Sequence, residues 1–286
     1  MRTTAILNLK GGVAKTVTCV NMAAILAADY GKRVLVVDAD SQANTTEFFG
    51  GDPEEGRLSA LLRYPTFEGN TGRETMCWAS VQPVAGYNMH LIAADDSLMD
   101  LDLTSMRRDD VDAFILRDFL SSVGAASRWD YCLIDCPPAF NAACAAALLA
   151  ADDVIIPIKL DAFSLRGMAN LMRQISNMRK INPSLRVAGL LPTMVYKSEK
   201  ISAALEALRA SKLFVFPAIR KTNKVDDMTF AQKPLIESSP KSAACVDYRR
   251  FVTVYVRQAG GDTSSGAARH LPLEGKATKK GGEGNG

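Results

Sequence analysis

Lys10-Gly11-Gly12-Val13-Ala14-Lys15-Thr16 directly follows the apolar run Thr4-Ala5-Ile6-Leu7-Asn8-Leu9, and its residue types are those of a phosphate cradle. Glycines let backbone N–H groups approach an anion, and a helix starting at Lys15 turns its positive end toward the same point. In that arrangement Lys15 neutralises β and γ phosphates, the Thr16 hydroxyl is offered to Mg²⁺, and Gly11, Gly12, Val13, Ala14 and Val17 complete the loop. The common pattern G-x-x-x-x-G-K-[ST] is not met, because Leu9 and Ala14 stand where its glycines belong. Ala14 is expected to keep negative φ, where an alanine sits without strain. Lys10 adds a second lysine at the loop entrance. It is either a ligand in its own right or a solvated side chain beside a loop.

Two more stretches carry carboxylates. Val34-Leu35-Val36-Val37-Asp38-Ala39-Asp40-Ser41-Gln42-Ala43-Asn44 places Asp38 and Asp40 two residues apart, pointing the same way along an extended chain. One can orient metal-bound water and the other an attacking water; the alternative for Asp40 is a helix or turn cap. Trp129-Asp130-Tyr131-Cys132-Leu133-Ile134-Asp135-Cys136-Pro137-Pro138 is an apolar strand ending in Asp135, the placement of a carboxylate that holds a Mg²⁺ shell through water.

Such residues meet only if several strands end at one edge. Apolar runs at 4–8, 33–37, 89–93, 131–134, 153–158 and 186–191 alternate with helical candidates at 15–29, 108–123, 140–150, 164–181, 198–211 and 239–257. This alternation predicts an α/β, doubly wound, mainly parallel sheet with helices on both faces, whose ligands lie outside the carboxyl ends of the strands. The runs are rich in Val, Ile and Leu with little polar alternation, as strands buried on both sides must be. Periodicity fails between Gly50 and Asn88, which reads as a surface excursion with one short helix at 58–62. Residues 1–258 read as one domain, and the Gly-, Ser- and Lys-rich 259–286 as a disordered tail.

Composition narrows the classes. With 48% apolar and 23% charged residues among 286, the chain can bury a large core and is not a disordered protein. No run reaches the ~18 apolar residues of a membrane span, and no signal peptide is evident, so a cytoplasmic location is expected. Six cysteines without a C-x-x-C pair and only two histidines argue against zinc. A net charge of +3 does not by itself point to nucleic acid.

The K-G-G-V-A-K-T loop resembles the deviant Walker A box, K-G-G-x-x-K-[ST], of the ParA/MinD family of P-loop ATPases. Asp38-Ala39-Asp40-Ser41-Gln42 is similar to that family's D-x-D-P-Q segment, with Ser41 for proline, and Asp135-Cys136-Pro137-Pro138 to its Walker B ending. Val154–Ile158, Gly189–Met194, Phe216–Arg220 and Gln232–Leu235 resemble the later strands and base-side loops. The resemblance implies ATP and Mg²⁺ as cofactors and slow, partner-stimulated hydrolysis. Asp40 would position the hydrolytic water, Asp38 would join Thr16 and Asp135 around Mg²⁺, and Met194 and Pro217 would lie beside the base. It also implies an ATP-sandwiched homodimer in which Lys10 reaches the partner's ATP, a ParB-type centromere-binding partner, and nucleoid association. Lys197, Lys200, Arg220, Lys221, Lys224, Arg249 and Arg250 would then form a sequence-independent DNA stripe if they share one face; a solvated surface is the ordinary use of scattered basic residues. The alternatives are a MinD-like positioning ATPase, for which the C-terminus offers no apolar face, a metabolic P-loop enzyme such as an amide-forming ligase, and a non-hydrolysing scaffold.

Overall fold

A computed structural model describes residues 1–63, 70–101 and 111–260. The strands are β1 (Arg2–Ile6), β2 (Val34–Asp38), β3 (Gln82–Pro83), β4 (Met89–Ile92), β5 (Tyr131–Asp135), β6 (Asp153–Lys159) and β7 (Arg186–Thr193). The helices before β5 are α1 (Lys15–Ala28), α2 (Asn44–Phe48), α3 (Leu58–Leu62), α4 (Asn70–Ala79), α5 (Ile115–Ser121) and α6 (Val123–Arg128). After it come α7 (Ala142–Ala150), α8 (Ala162–Met178), α9 (Glu199–Arg209), α10 (Lys224–Ala231), α11 (Leu235–Ser238) and α12 (Ala243–Gln258).

The strands form one sheet in the order β3-β4-β2-β5-β1-β6-β7. All pairings are parallel except β3 with β4. Successive strand residues supply opposite faces: Ala5, Leu35, Val37, Cys132 and Ile134 pack with α7 on one side. Ile6, Val34, Val36, Tyr131 and Leu133 pack with α1 and α12 on the other. Both faces are dry, which is why the strands read as unbroken apolar runs. The outer edge of β7 is met by the segment around Val215, which pairs with Leu190. Gly189 permits that approach, since a Cβ there would stand 2.8 Å from the Phe214 carbonyl oxygen.

Register sets the site. Asp38 lies opposite Asp135, and Asp135 opposite Ile6, so β1, β2 and β5 end level with one another. The loop after Ile6 and the two aspartates therefore share one edge.

Several sequence expectations change. In the described part of the span 50–88, expected as a surface excursion, Leu58, Leu61, Leu62 and Cys77 are buried in the main core, and Trp78 stacks on Trp129 with centroids 5.4 Å apart; residues 64–69 lie outside the described residues. The span's helices are too short, and its Gly and Pro too frequent, for a periodic signal to show. Of the helix expected at 108–123, α5 forms over 115–121 and ends at Ser122, whose extended ψ of 151° lets its hydroxyl cap Ala125 N and start α6; residues 108–110 lie outside the described residues. The last helix starts at Ala243 rather than 239, where the Ser242 hydroxyl accepts from Cys245 N. The expected disorder of the tail concerns residues 261–286, which lie outside the described residues. Among the described residues no helix is long and apolar enough to cross a membrane.

Candidate functional site

Gly11 and Gly12 are exposed at the tip of the loop, with open space where a Cβ would be, and Gly12 has φ +68°. The loop backbone thus stands open to a ligand. Helix α1 begins at Lys15 with no side chain capping its first N–H groups, so its positive end is available to an anion. Thr193, at the end of β7, fixes the loop by donating to the Val13 carbonyl at 3.1 Å. Asn8 ties the loop's approach to β6, donating to Pro157 O at 2.7 Å and accepting from Lys10 N at 3.0 Å.

Ala14 does not keep the expected negative φ; it adopts φ +67°, ψ 38°. An L-residue there carries backbone strain of about 1 kcal/mol or more, and Met194 (φ +54°) and Ala43 (φ +51°) around the same edge are held likewise. Strain of this kind gathers where a loop must present its backbone to a ligand.

Lys15 is buried, and its ammonium reaches the Lys10 carbonyl at 3.4 Å. Lys10 turns its own ammonium to Asp161, just past β6, at 2.7 and 2.8 Å from the two carboxylate oxygens. It is an ion-paired lysine at the mouth of the loop, about one-third exposed.

The carboxylates lie just below. Asp135 Oδ2 accepts from the Thr16 and Thr45 hydroxyls, each at 2.7 Å, while its Oδ1 is buried with no hydrogen-bond partner. Asp38 accepts from Asp40 N at 3.1 Å and from Thr46 N and its hydroxyl at 2.8 Å. Burial pushes Asp38 up to about 7, and the neighbouring Asp135 charge pushes the same way. Burial also raises Asp135, to about 6, against the pull of the two threonine hydroxyls and of Lys15. Buried carboxylates with an orphaned oxygen and an adjacent threonine hydroxyl are a donor set for a hard cation such as Mg²⁺. The residues fit that ion.

Asp40 sits at this edge and accepts from Gln42 N at 3.1 Å, so it does cap the turn that leads into α2. Val17 and Met194 line a cavity of about 140 Å³ beside the loop, together with Ala14, Ile219, Val225 and Tyr248. Arg220, Lys221 and Asp226 stand at its wall; Pro217 is not among its lining residues.

The basic residues divide. Arg220 is bound to Asp247, Nε donating to Oδ2 at 2.7 Å and Nη2 to Oδ1 at 2.9 Å. Arg249 is bound to Asp29, at the far end of α1 from the loop, at 2.7 Å. Lys224 pairs with Asp227. Lys197, Lys200, Lys221 and Arg250 are exposed. Lys221 N donates to Val195 O at 2.9 Å, which brings Lys221 beside the segment carrying Lys197.

Thr45, Thr46, Asp161 and Thr193 were not singled out by sequence. Thr45 and Thr46 closely follow the Asp38-Ala39-Asp40 segment, which is the one local signal. The others sit 151 and 180 residues from Lys10 and Val13, the groups they contact.

Fold and loop place the molecule among the P-loop NTPases. Residues 1–187 match the AAA domain family AAA_31. The chain is 32% identical to the chromosome partitioning protein ParA of Caulobacter vibrioides over 258 residues, covering 88% of this chain and 92% of that protein. It is likewise 32% identical to the chromosome-partitioning ATPase Soj of Thermus thermophilus, covering 88% and 94%. It is also similar to a crystal structure of cobyrinic acid a,c-diamide synthase from Mycobacterium smegmatis with bound ATP analog and magnesium, with TM-score 0.74 and 28% identity over 91% of this chain and 95% of that one. The chain belongs to the ParA/MinD family of P-loop ATPases, and within it to the ParA type.

Proposed function

We propose that this ParA-type ATPase is a DNA-segregating switch that dimerises on ATP, binds DNA without sequence preference and is released by hydrolysis that a ParB-type partner stimulates. The observation that carries the reading is the second lysine, Lys10, set at the mouth of a loop whose own charge is already supplied by Lys15. A site complete within one subunit has no need of it. Lys10 would exchange Asp161 for the phosphates of a second copy's nucleotide, and Asp161 would hold it in reserve until then.

Within one subunit, the N–H groups of residues 11–16 and Lys15 would hold the triphosphate, and Thr16 with Asp135 would hold Mg²⁺. Bound there, the metal supplies charge neutralisation for phosphoryl transfer. Asp38 would border the Mg²⁺ beside Asp135 while it fixes the Asp40–Thr46 loop, and Asp40, at the start of that loop, would orient the attacking water. Val17 and Met194 would flank the base. Nucleotide would act as glue between subunits and its hydrolysis as release, a population switch rather than a metabolic turnover.

For DNA, of the seven basic residues named from the sequence, Lys197, Lys200, Lys221 and Arg250 are exposed and have no ion pair among the described residues. Arg220, Lys224 and Arg249 are ion-paired to aspartates and would have to exchange them for phosphates to take part.

The experiment is DNA retention with no nucleotide, ADP and ATP across a salt series, on wild type and Lys10→Ala. Retention that needs ATP, falls with salt, ignores sequence and is lost in Lys10→Ala is the expected result; retention indifferent to nucleotide would overturn it. A second reading, an ATP-dependent amide-forming enzyme, is favoured by the likeness to the diamide synthase. Absence of DNA retention, with ATP turnover that requires a small carboxylic acid and an amide donor, would select it.

A further inference from the structure

We propose that Thr45 is a positioning residue for the metal: its hydroxyl fixes which oxygen of Asp135 faces the cation. The inference rests on the Mg²⁺–nucleotide reading and deepens it.

A carboxylate oxygen has two lone-pair directions, and each hydroxyl has one proton to give. Thr16 and Thr45 both spend theirs on Asp135 Oδ2, at 2.7 Å each, which fills that oxygen. Oδ1 is left buried and without a partner. The carboxylate is thereby sorted into a saturated oxygen and an open one, and only the open one can accept from a metal-bound water. A carboxylate held by Thr16 alone would be free to turn about its terminal bond and present either oxygen.

Thr16 cannot do this work unaided, because it is itself the hydroxyl of the phosphate loop and its oxygen is the one offered to the metal. Thr45 is committed to the carboxylate only. It is wholly buried, and its position is set by its neighbour. Thr46 grips Asp38 through both its N–H and its hydroxyl at 2.8 Å and accepts from Ala94 N at 2.8 Å. Threonines 45 and 46 therefore fasten one short segment to the ends of β5, β2 and β4 together. That segment starts four residues after Asp40, so the loop that bears the water-orienting aspartate is fastened to the carboxylate that bears the metal.

Outer hydrogen-bond partners of metal-bound groups are worth about 10–100-fold in metal affinity. The test is ADP affinity, measured by calorimetry over a Mg²⁺ series and in EDTA, for wild type, Thr45→Val and Thr45→Ser. In Thr45→Val the Mg²⁺ concentration giving half the metal effect should rise roughly tenfold, with Thr45→Ser within about twofold of wild type. Affinity in EDTA should be the same in all three, which a general loosening of the loop would not allow. Where valine does not fold, as judged by circular dichroism, Thr45→Ala carries the same comparison. An unchanged Mg²⁺ dependence in Thr45→Val, or an equal loss in Thr45→Ser, would overturn the proposal. A wild type whose ADP affinity ignores Mg²⁺ would remove the metal–nucleotide reading itself, and this inference with it.

Discussion

At the amino edge of the sheet Asp153 has a wholly buried side chain, yet it accepts from Arg2 Nε at 2.7 Å, Arg186 Nε at 2.5 Å and the Tyr255 hydroxyl at 3.0 Å. At the carboxyl edge Asp38 and Asp135 are as deeply buried and lie opposite each other in register, with no ion pair to either among the described residues. Burial would raise Asp153, but the two guanidiniums outweigh it and hold the group below the usual carboxylate range. At the other edge burial raises both groups and nothing comparable answers it. One end of the sheet closes its charge internally and acts as a clamp on β1, β6 and β7. The opposite end leaves charge to be closed by something that arrives, which is what separates a structural aspartate from a ligand-binding one.

That contrast should appear in opposite signs. Asp153→Asn leaves Arg2 and Arg186 without their counter-charge; as both remain partly exposed, at 31% and 45%, a loss of about 2–3 kcal/mol is expected in urea unfolding. Asp135→Asn removes a buried charge that no ion pair among the described residues answers, only the more distant Lys15, and should stabilise the nucleotide-free protein, by about 1 kcal/mol at pH 8, while weakening Mg²⁺-dependent nucleotide binding. A loss of stability in both variants would erase the distinction.

The pH dependence sharpens it. Asp38 and Asp135 hold protons more tightly folded than unfolded, so their contribution is complete below 3.8 and is lost as pH rises to about 7. Asp153, held low, contributes above 3.8 and loses that contribution as pH falls through its folded value. In nucleotide-free protein, unfolding measured from acid to neutral pH should lose its decline toward pH 7 partly in Asp135→Asn, and its acid limb in Asp153→Asn. The smallest effect expected lies in the loop itself. Ala14→Gly relieves the left-handed backbone at the cost of a looser unfolded chain, for a net gain of about 0.5–1 kcal/mol in thermal unfolding.

What could be read in the sequence was whatever is local. Asp38 and Asp135 each close an apolar run, Lys15 and Thr16 follow a Gly-Gly loop after one, and the parallel sheet that aligns them follows from the alternation of runs. Charge was legible but its partners were not. Arg220 and Arg249 look like free cations until Asp247 and Asp29 are brought to them from 27 and 220 residues away. Thr45 is an ordinary polar residue until the fold sets it against Asp135, 90 residues on. Ala14 shows a third kind of limit: composition allows an alanine in the loop, and only the backbone reveals that it occupies a conformation suited to glycine. In the described part of 50–88 the buried residues Leu58, Leu61, Leu62 and Cys77 lie on one five-residue and one ten-residue helix, too short for the period to stand out from the surrounding Gly and Pro.

On this reading the carboxyl edge is completed by Mg²⁺ and a nucleoside triphosphate held on Lys15. Calorimetric titration of ATP with and without Mg²⁺ into wild type and Lys15→Ala tests it most directly. Binding that Mg²⁺ strengthens in the wild type and a loss of roughly 100-fold or more in Lys15→Ala are expected. Equal ATP affinity in the two proteins would contradict it.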